Sequence, residues 1–326
     1  MSNRFKRTGY AFGFVAVIAL SLYFLGPYED SDLATSFDDT VLNDGVSAYF
    51  AAQEARFDDI TPGVEKQVIW AGAPEAETDW AVLYLHGFSA TSMEIRPVPD
   101  LVAEALGANL IYTRLTGHGR GGDALAQAGV ADWMGDVAEG LAAARKIGKR
   151  VLIISVSTGG TLAAAVAMDP DLSQDVAGIV FASPNFGINN PAAPIMTLPG
   201  ARYWAPLVAG REHSFEPANA DQAKFWTTRY PLVAALPVAA LVQKAVRLEL
   251  EQADIPALFL FTQADQVVRA DATEAVAERW GGDTTVINPV LGPEDDPASH
   301  IIAGDIMSPS QNDVTVDRML DWVKGL

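Results

Sequence analysis

One stretch constrains the fold more than any other, VLIISVSTGGTLAAA at residues 151–165. A run of branched apolar residues, typical of a buried strand, gives way at Ser157 to small residues that open a helix. Ser155 and Gly159 stand two residues to either side, and their small size lets the strand and the helix approach closely. The pattern predicts a strand, a tight turn with a serine at its tip, and a helix. A plain turn whose serine caps the helix is the alternative.

The rest of the chain alternates between apolar runs and helical patterns. We expect strands at residues 80–85, 109–114, 150–156, 176–182, 256–261 and 284–290. Helices are expected near residues 93–106, 132–147, 158–168, 271–280 and 312–325. Most of the apolar runs are nearly continuous, which is typical of parallel strands covered on both faces. The alternation predicts an α/β fold, with a mostly parallel sheet and helices on both faces.

One segment, residues 184–254, breaks this alternation. It is rich in proline and aromatic residues and reads as a mainly helical insertion. We expect it to form a cap over the active site that governs substrate choice. The alternative is a set of surface helices whose aromatic side chains pack onto the core.

A nucleophilic serine needs a histidine to take its proton and an acid to orient that histidine. Asp265 follows the apolar run at 256–261, and His300 ends the loop after the next run. Adjacent strand ends bring such residues to one edge of a sheet, so we assign Asp265 as the acid and His300 as the base. A turn-forming role is the alternative for Asp265. Asp295 and Asp296 are expected to face solvent.

An acyl-transfer site also needs N–H groups aimed at the developing oxyanion. The amide of Thr158 directly follows Ser157 at a helix N-terminus, where unpaired amides and the helix dipole favour an anion. The amide of Phe88, in the loop after the strand at 80–85, is the expected second donor. His86, in the same loop, is expected to be structural.

These segments together resemble the α/β-hydrolases, and within them the branch of small carboxylesterases and monoacylglycerol-lipase-like enzymes. The resemblance is carried by LHGFSA at 85–90, RLTGHGRGG at 114–122, SVSTGG at 155–160, TQADQVV at 262–268 and ASHII at 298–302. In that family the acid and then the histidine follow the serine. The order favours His300 over His213, which lies inside the insertion. Ser155 stands where the family motif G-x-S-x-G has its first glycine.

The resemblance implies a serine hydrolase that cleaves carboxylic esters, small or lipid-like, through an acyl-enzyme, with no metal and no organic cofactor. Other acyl hydrolases, including thioesterases and aminopeptidases, and acyltransferases use the same triad. A non-catalytic protein that binds a ligand in the same fold is a further alternative. The chain has no cysteine, which excludes a thiol nucleophile and a disulfide framework. A net charge of −19 argues against nucleic acid as a partner.

The N-terminus predicts a membrane anchor over residues 1–28. No charged residue occurs from Thr8 to Tyr28, and three basic residues precede this run. The positive-inside rule then places the catalytic domain on the non-cytoplasmic side, periplasmic or extracellular. A cleaved signal peptide with the same export outcome is the alternative. Residues 29–65 are expected to form a tether and a lead-in helix, and residues 66–326 the hydrolase domain.

Overall fold

The computed structural model describes residue 17 and residues 20–326. In this part of the chain, seven strands form one sheet in the order β1-β3-β2-β4-β5-β8-β9. Its strands are β1 (Gln67–Ile69), β2 (Thr78–Leu85), β3 (Asn109–Tyr112), β4 (Gly148–Val156), β5 (Val176–Ala182), β8 (Ala257–Leu260) and β9 (Thr284–Ile287). Only the edge strand β1 pairs antiparallel among the described strands of this sheet. The expected α/β fold with a mostly parallel sheet is therefore confirmed.

Side chains alternate between the two faces of the sheet. Along β2, Leu83 and Leu85 join one buried cluster, whereas Val82 and Tyr84 join the other. The first cluster is covered by α1 (Val46–Glu54), α4 (Val130–Ile147), α5 (Thr158–Ala167), α9 (Leu236–Ala245) and α10 (Ala270–Arg279). The second is covered by α2 (Val98–Leu106) and α11 (Asn312–Val323). Helices on both faces explain why the central strands read as continuous apolar runs.

The insertion between β5 and β8 is built from short elements. It contains the helices α6 (Ala193–Met196), α7 (Ala201–Val208), α8 (Ala220–Phe225) and α9, together with an antiparallel hairpin of β6 (Glu212–Ser214) and β7 (Arg229–Pro231). Another short helix, α3 (Gly122–Leu125), lies in a loop after β3, outside the insertion, and contacts β7. The insertion is thus connected to loops at the carboxyl end of the sheet.

The prediction of a membrane-spanning helix at the N-terminus is wrong. No helix within residue 17 and residues 20–326 is long and apolar enough to cross a membrane. The helical stretch at residues 20–25 ends at Gly26, whose amide donates to Leu22 O at 2.8 Å. The remainder of the predicted anchor, residues 1–16, 18 and 19, lies outside the described residues. The expected membrane partner and non-cytoplasmic location depended on this helix and are corrected with it.

Candidate active site

Ser157 occupies a sharp turn between β4 and α5. Its backbone has φ 51° and ψ −116°, a conformation that is unfavourable for a residue with a β-carbon. The turn is held by its neighbours, since Ser157 N donates to Ala182 O at 3.1 Å and Asn185 N donates to Ser157 O at 2.9 Å. The side chain therefore stands at the tip of the turn, as the sequence pattern predicts.

The two small residues around Ser157 have different reasons to be small. A β-carbon on Gly159 would lie 2.1 Å from Leu85 O, so α5 packs directly against the end of β2 and only glycine fits. Ser155 is fully buried, and its hydroxyl donates to Val180 O at 2.7 Å. The serine at this position is accommodated because the neighbouring strand β5 accepts its hydrogen bond.

The structure brings His300 and Asp265 together. His300 Nδ1 lies 2.8 Å from Asp265 Oδ2, and both side chains are buried. The other carboxylate oxygen, Oδ1, accepts hydrogen bonds from the amides of Val267 and Val268 at 2.8 and 2.9 Å. These two bonds fix the carboxylate so that only Oδ2 faces the ring. With Nδ1–H donating to Asp265, Nε2 is the nitrogen left to accept a proton.

The electrostatic environment of His300 favours its charged form. Burial by itself lowers the pKa of this imidazole, but the charge of Asp265 and the hydrogen bond to it outweigh burial. Glu94 and Asp296 add to the same effect. The pKa of His300 is therefore raised above its ordinary value of 6.5.

The loop that carries His300 is organised by Asp296, which we expected to face solvent. That expectation is wrong for both acids of this loop, since Asp295 and Asp296 are each 5% exposed. Asp296 Oδ2 accepts hydrogen bonds from the amides of His300 and Ile301 at 2.9 and 2.8 Å, and Oδ1 accepts one from Ala298 N. The carboxylate is buried because the loop folds around it and supplies three amide donors.

Ser157, Asp265 and His300 all follow strands at the carboxyl edge of the sheet, after β4, β8 and β9. Within the described residues, however, the Ser157 hydroxyl makes no hydrogen bond to the His300 ring. Hydrogen bonds between a nucleophile and its base are often long before substrate binds. The structure thus joins the histidine with the acid and leaves the serine on the same edge of the sheet.

The two expected oxyanion donors both flank Ser157. The loop after β2 passes close to it, since a β-carbon on Gly87 would lie 3.0 Å from Ser157 Cβ. Phe88 follows in this loop, and Thr158 is the first residue of α5. Among the described residues, neither the Phe88 amide nor the Thr158 amide donates a hydrogen bond to another group. Both amides are therefore available to an anion.

Two histidines near this loop are buried and neutral. His86 Nε2 accepts a hydrogen bond from Leu115 N at 3.1 Å, which ties the loop after β2 to the loop after β3. Burial lowers the pKa of His86 to about 4, and it holds the pKa of His118 well below its ordinary value. Their rings pack edge to face with centroids 4.8 Å apart. His213 lies apart from both, exposed on β6.

Three further contacts at this site have no signal in the sequence. The insertion reaches the oxyanion loop, because Thr227 N donates to Ser89 O at 2.7 Å and the ring of Tyr230 packs edge to face on Phe88. Glu94 lies in a stretch that we expected to be helical, but α2 begins only at Val98. Its buried carboxylate accepts a hydrogen bond from Gly87 N at 2.7 Å.

Comparison with known proteins identifies the family and the fold of this chain. The family model of serine aminopeptidases of group S33 matches residues 76–288, which include Ser157 and Asp265 and end before His300. A search of curated proteins finds no match. Among solved structures, one from work on LipS and LipT, two metagenome-derived lipolytic enzymes, shares 18% identity with a TM-score of 0.63. That comparison covers 82% of this chain and 100% of the other.

Two lipases show the same fold. The monoacylglycerol lipase of Paleococcus ferrophilus is 16% identical with a TM-score of 0.54, and the comparison covers 79% of this chain and 96% of that one. A soluble variant of the monoglyceride lipase of Saccharomyces cerevisiae is 12% identical with a TM-score of 0.55, covering 80% of this chain and 90% of that one. At these identities the likeness concerns the fold alone. Because the family model matches more than half of the sequence, the chain belongs to the serine aminopeptidase S33 family of α/β-hydrolases.

Proposed function

We propose that this chain is a serine hydrolase that cleaves carboxylic esters through Ser157, His300 and Asp265. The observation that carries the proposal is the buried hydrogen bond of 2.8 Å between His300 and Asp265, on the sheet edge where Ser157 stands at a strained turn. An acid held by two backbone amides and paired with a histidine is suited to orienting a general base.

In the proposed reaction, the Ser157 hydroxyl attacks the ester carbonyl and passes its proton to His300 Nε2. Asp265 stabilises the imidazolium through Nδ1–H. The amides of Phe88 and Thr158 donate hydrogen bonds to the oxyanion of the tetrahedral intermediate. His300 then gives its proton to the departing alcohol as the carbon–oxygen bond breaks. Water, deprotonated by the same histidine, then attacks the acyl-enzyme. The bond between the acyl carbon and the Ser157 oxygen breaks, His300 returns its proton to that oxygen, and the carboxylic acid is released.

We further propose that the insertion at residues 184–254 is a cap that shapes the substrate pocket. The hydrogen bond from Thr227 to Ser89 and the packing of Tyr230 on Phe88 support this assignment, because they join the insertion to the oxyanion loop. Structural neighbours of the chain include lipolytic enzymes and a monoacylglycerol lipase, and we propose lipid-like esters as its substrate class.

The test compares hydrolysis of p-nitrophenyl acetate, butyrate and octanoate by the full chain and by Ser157→Ala. We expect activity that is lost in the variant while its circular dichroism spectrum is retained, together with labelling of Ser157 by a fluorophosphonate. Leucine p-nitroanilide is assayed in parallel. If the amide substrate is cleaved and the esters are not, the chain is an aminopeptidase. If neither is cleaved and no label is taken up, the chain binds a ligand without catalysis.

A further inference from the structure

Glu94 is a buried acid that the proposed reaction does not use. It lies in the loop between β2 and α2 and is 2% exposed. Its Oε2 accepts hydrogen bonds from Gly87 N at 2.7 Å and from the Tyr84 hydroxyl at 3.1 Å. Within the described residues, no lysine or arginine forms an ion pair with it. A buried carboxylate that has only neutral hydrogen-bond donors and no cation nearby costs folding free energy. This cost indicates that Glu94 serves the function of the site.

Glu94 contributes first through geometry, by its hydrogen bond to the Gly87 amide. Gly87 immediately precedes Phe88, the proposed oxyanion donor, so a hydrogen bond that anchors the Gly87 amide also sets the path of the next peptide. A β-carbon on Gly87 would lie 2.7 Å from Glu94 Oε1 and 3.0 Å from Ser157 Cβ. The carboxylate and the serine thus face the same side of Gly87, with only a glycine between them.

Glu94 also contributes through its charge. Burial raises the pKa of Glu94 to about 7, although the hydrogen bond from Gly87 opposes this effect. The charges of Glu94 and His300 favour each other, because each stabilises the ionised form of the other. Three acidic groups face His300, namely Asp265, Glu94 and Asp296. Two groups face Glu94, namely Tyr84 and His300. Both oxygens of Asp296 accept hydrogen bonds from loop amides, and those of Asp265 accept hydrogen bonds from loop amides and the His300 ring. Glu94 Oε1 has no hydrogen-bond donor among the described residues.

We propose that Glu94 is a positioning residue of the active site, which holds the Gly87 amide and so fixes the oxyanion loop beside Ser157. The charge of Glu94 supports the same reaction by favouring the protonated form of His300. The proposal rests on the proposed function, since it gives Glu94 a role in the same reaction. Glu94 touches neither the substrate nor the reacting atoms. It acts in the steps that place negative charge on the substrate oxygen and positive charge on the imidazole.

The test uses two substitutions in the full chain. Glu94→Gln keeps an oxygen that can accept from Gly87 and Tyr84 but removes the charge. We expect it to move the acidic limb of the kcat/KM profile to lower pH by about half a unit or more, because protonated His300 then loses its proton more easily. Glu94→Ala removes the anchor as well. We expect it to lower kcat tenfold or more with a smaller change in KM, because an oxyanion donor acts mainly in the transition state.

Glu104→Gln is the matched control, since it makes the same chemical change at an exposed position of α2. We expect its pH profile to coincide with that of the unsubstituted protein. A Glu94→Gln profile that also coincides overturns the electrostatic role, and a Glu94→Ala variant with full kcat overturns the anchoring role. If Glu94→Ala does not fold, Glu94→Asp takes its place, because it keeps the charge but is too short to hold the Gly87 amide in the same position. Full kcat in that variant overturns the anchoring role.

A titration of the histidine rings by NMR separates this proposal from the proposed function. The chain has only four histidines, so the four imidazole signals can be assigned by substitution. Glu94→Gln is expected to lower the pKa of His300 by about half a unit or more, whether or not esters are hydrolysed. An unchanged His300 titration refutes the coupling. Loss of activity in Ser157→Ala, measured separately, tests the reaction itself.

Discussion

Breaking the ion pair between Glu54 and Arg114 should be one of the most destabilising single changes in this fold. Arg114 Nε and Nη2 donate to the two oxygens of Glu54 at 2.7 and 2.8 Å, and the side chains are 4% and 7% exposed. Glu54 also accepts from Lys66 N at 3.0 Å, while Arg114 Nη1 donates to His118 O at 3.1 Å. The pair therefore joins α1 to the Gly-His-Gly turn after β3.

Glu54→Ala leaves a buried guanidinium without its counterion. Removing one partner of such a pair costs about 3 to 5 kcal/mol, much more than the pair contributes relative to apolar residues. For 326 residues the entropy of unfolding is about 0.7 kcal/mol per kelvin, so the melting temperature should fall by about 4 to 7 °C. The measurement is thermal unfolding followed by circular dichroism at neutral pH.

Asp59→Ala is the matched control, because Asp59 pairs with Arg120 through the same two groups at the surface, with side chains 45% and 22% exposed. Exposed pairs contribute about 0.2 to 1 kcal/mol, so we expect a fall of about 1 °C or less. Equal losses in the two variants would refute the argument that burial sets the cost. A Glu54→Ala protein that melts at the original temperature would refute the pairing itself.

Three further predictions concern the active site. Asp265→Asn should lower kcat by about a thousandfold or more, because it removes the charge that stabilises protonated His300 and lets the ring adopt the wrong tautomer; the acidic limb of any remaining activity should move to lower pH, and an unshifted limb would contradict this. Gly159→Ala should yield no folded, active enzyme, because the new β-carbon meets Leu85 O at 2.1 Å; native melting behaviour would contradict it. Glu94→Gln should stabilise the protein above neutral pH and have little effect near pH 4. A carboxyl whose pKa is raised in the folded state favours folding below its unfolded pKa, and this contribution is lost as the pH rises through about 7. Urea unfolding at both pH values checks the sign, and an equal effect at both would refute it.

The inner strands of the sheet, β2 to β5 and β8, could be predicted because they are buried on two faces. Such strands need apolar residues at every position, so β4 and β5 stand out as continuous runs. The edge strand β1 and the hairpin of β6 and β7 have three residues each and are only partly buried, so no apolar pattern marks them. Strand pairing at these places depends on which neighbour offers a free edge.

The acidic residues of the site also differ in how well the sequence predicts their positions. Asp265 could be placed beside His300 from the sequence because it lies in the short loop after the buried strand β8, where the fold restricts its position. Asp296 and Glu94 could not, because a charged residue in a polar loop is usually solvated. Their burial follows from the path of the loops, which fold around each carboxylate and supply amide donors. The local sequence does not predict the path of these loops.

The serine at position 155 shows how a departure from a motif can be read from the structure. The motif prefers glycine there because strand and helix approach closely, but the closest contact in this chain is made by Gly159, against Leu85 O. Ser155 lies on the strand side of the turn, where its hydroxyl reaches Val180 O instead of colliding with the helix. A serine is therefore tolerated two residues before Ser157 and not two residues after it. Ser155→Gly should keep the turn, whereas Gly159→Ser should destroy it, and the two melting temperatures measured together test this asymmetry.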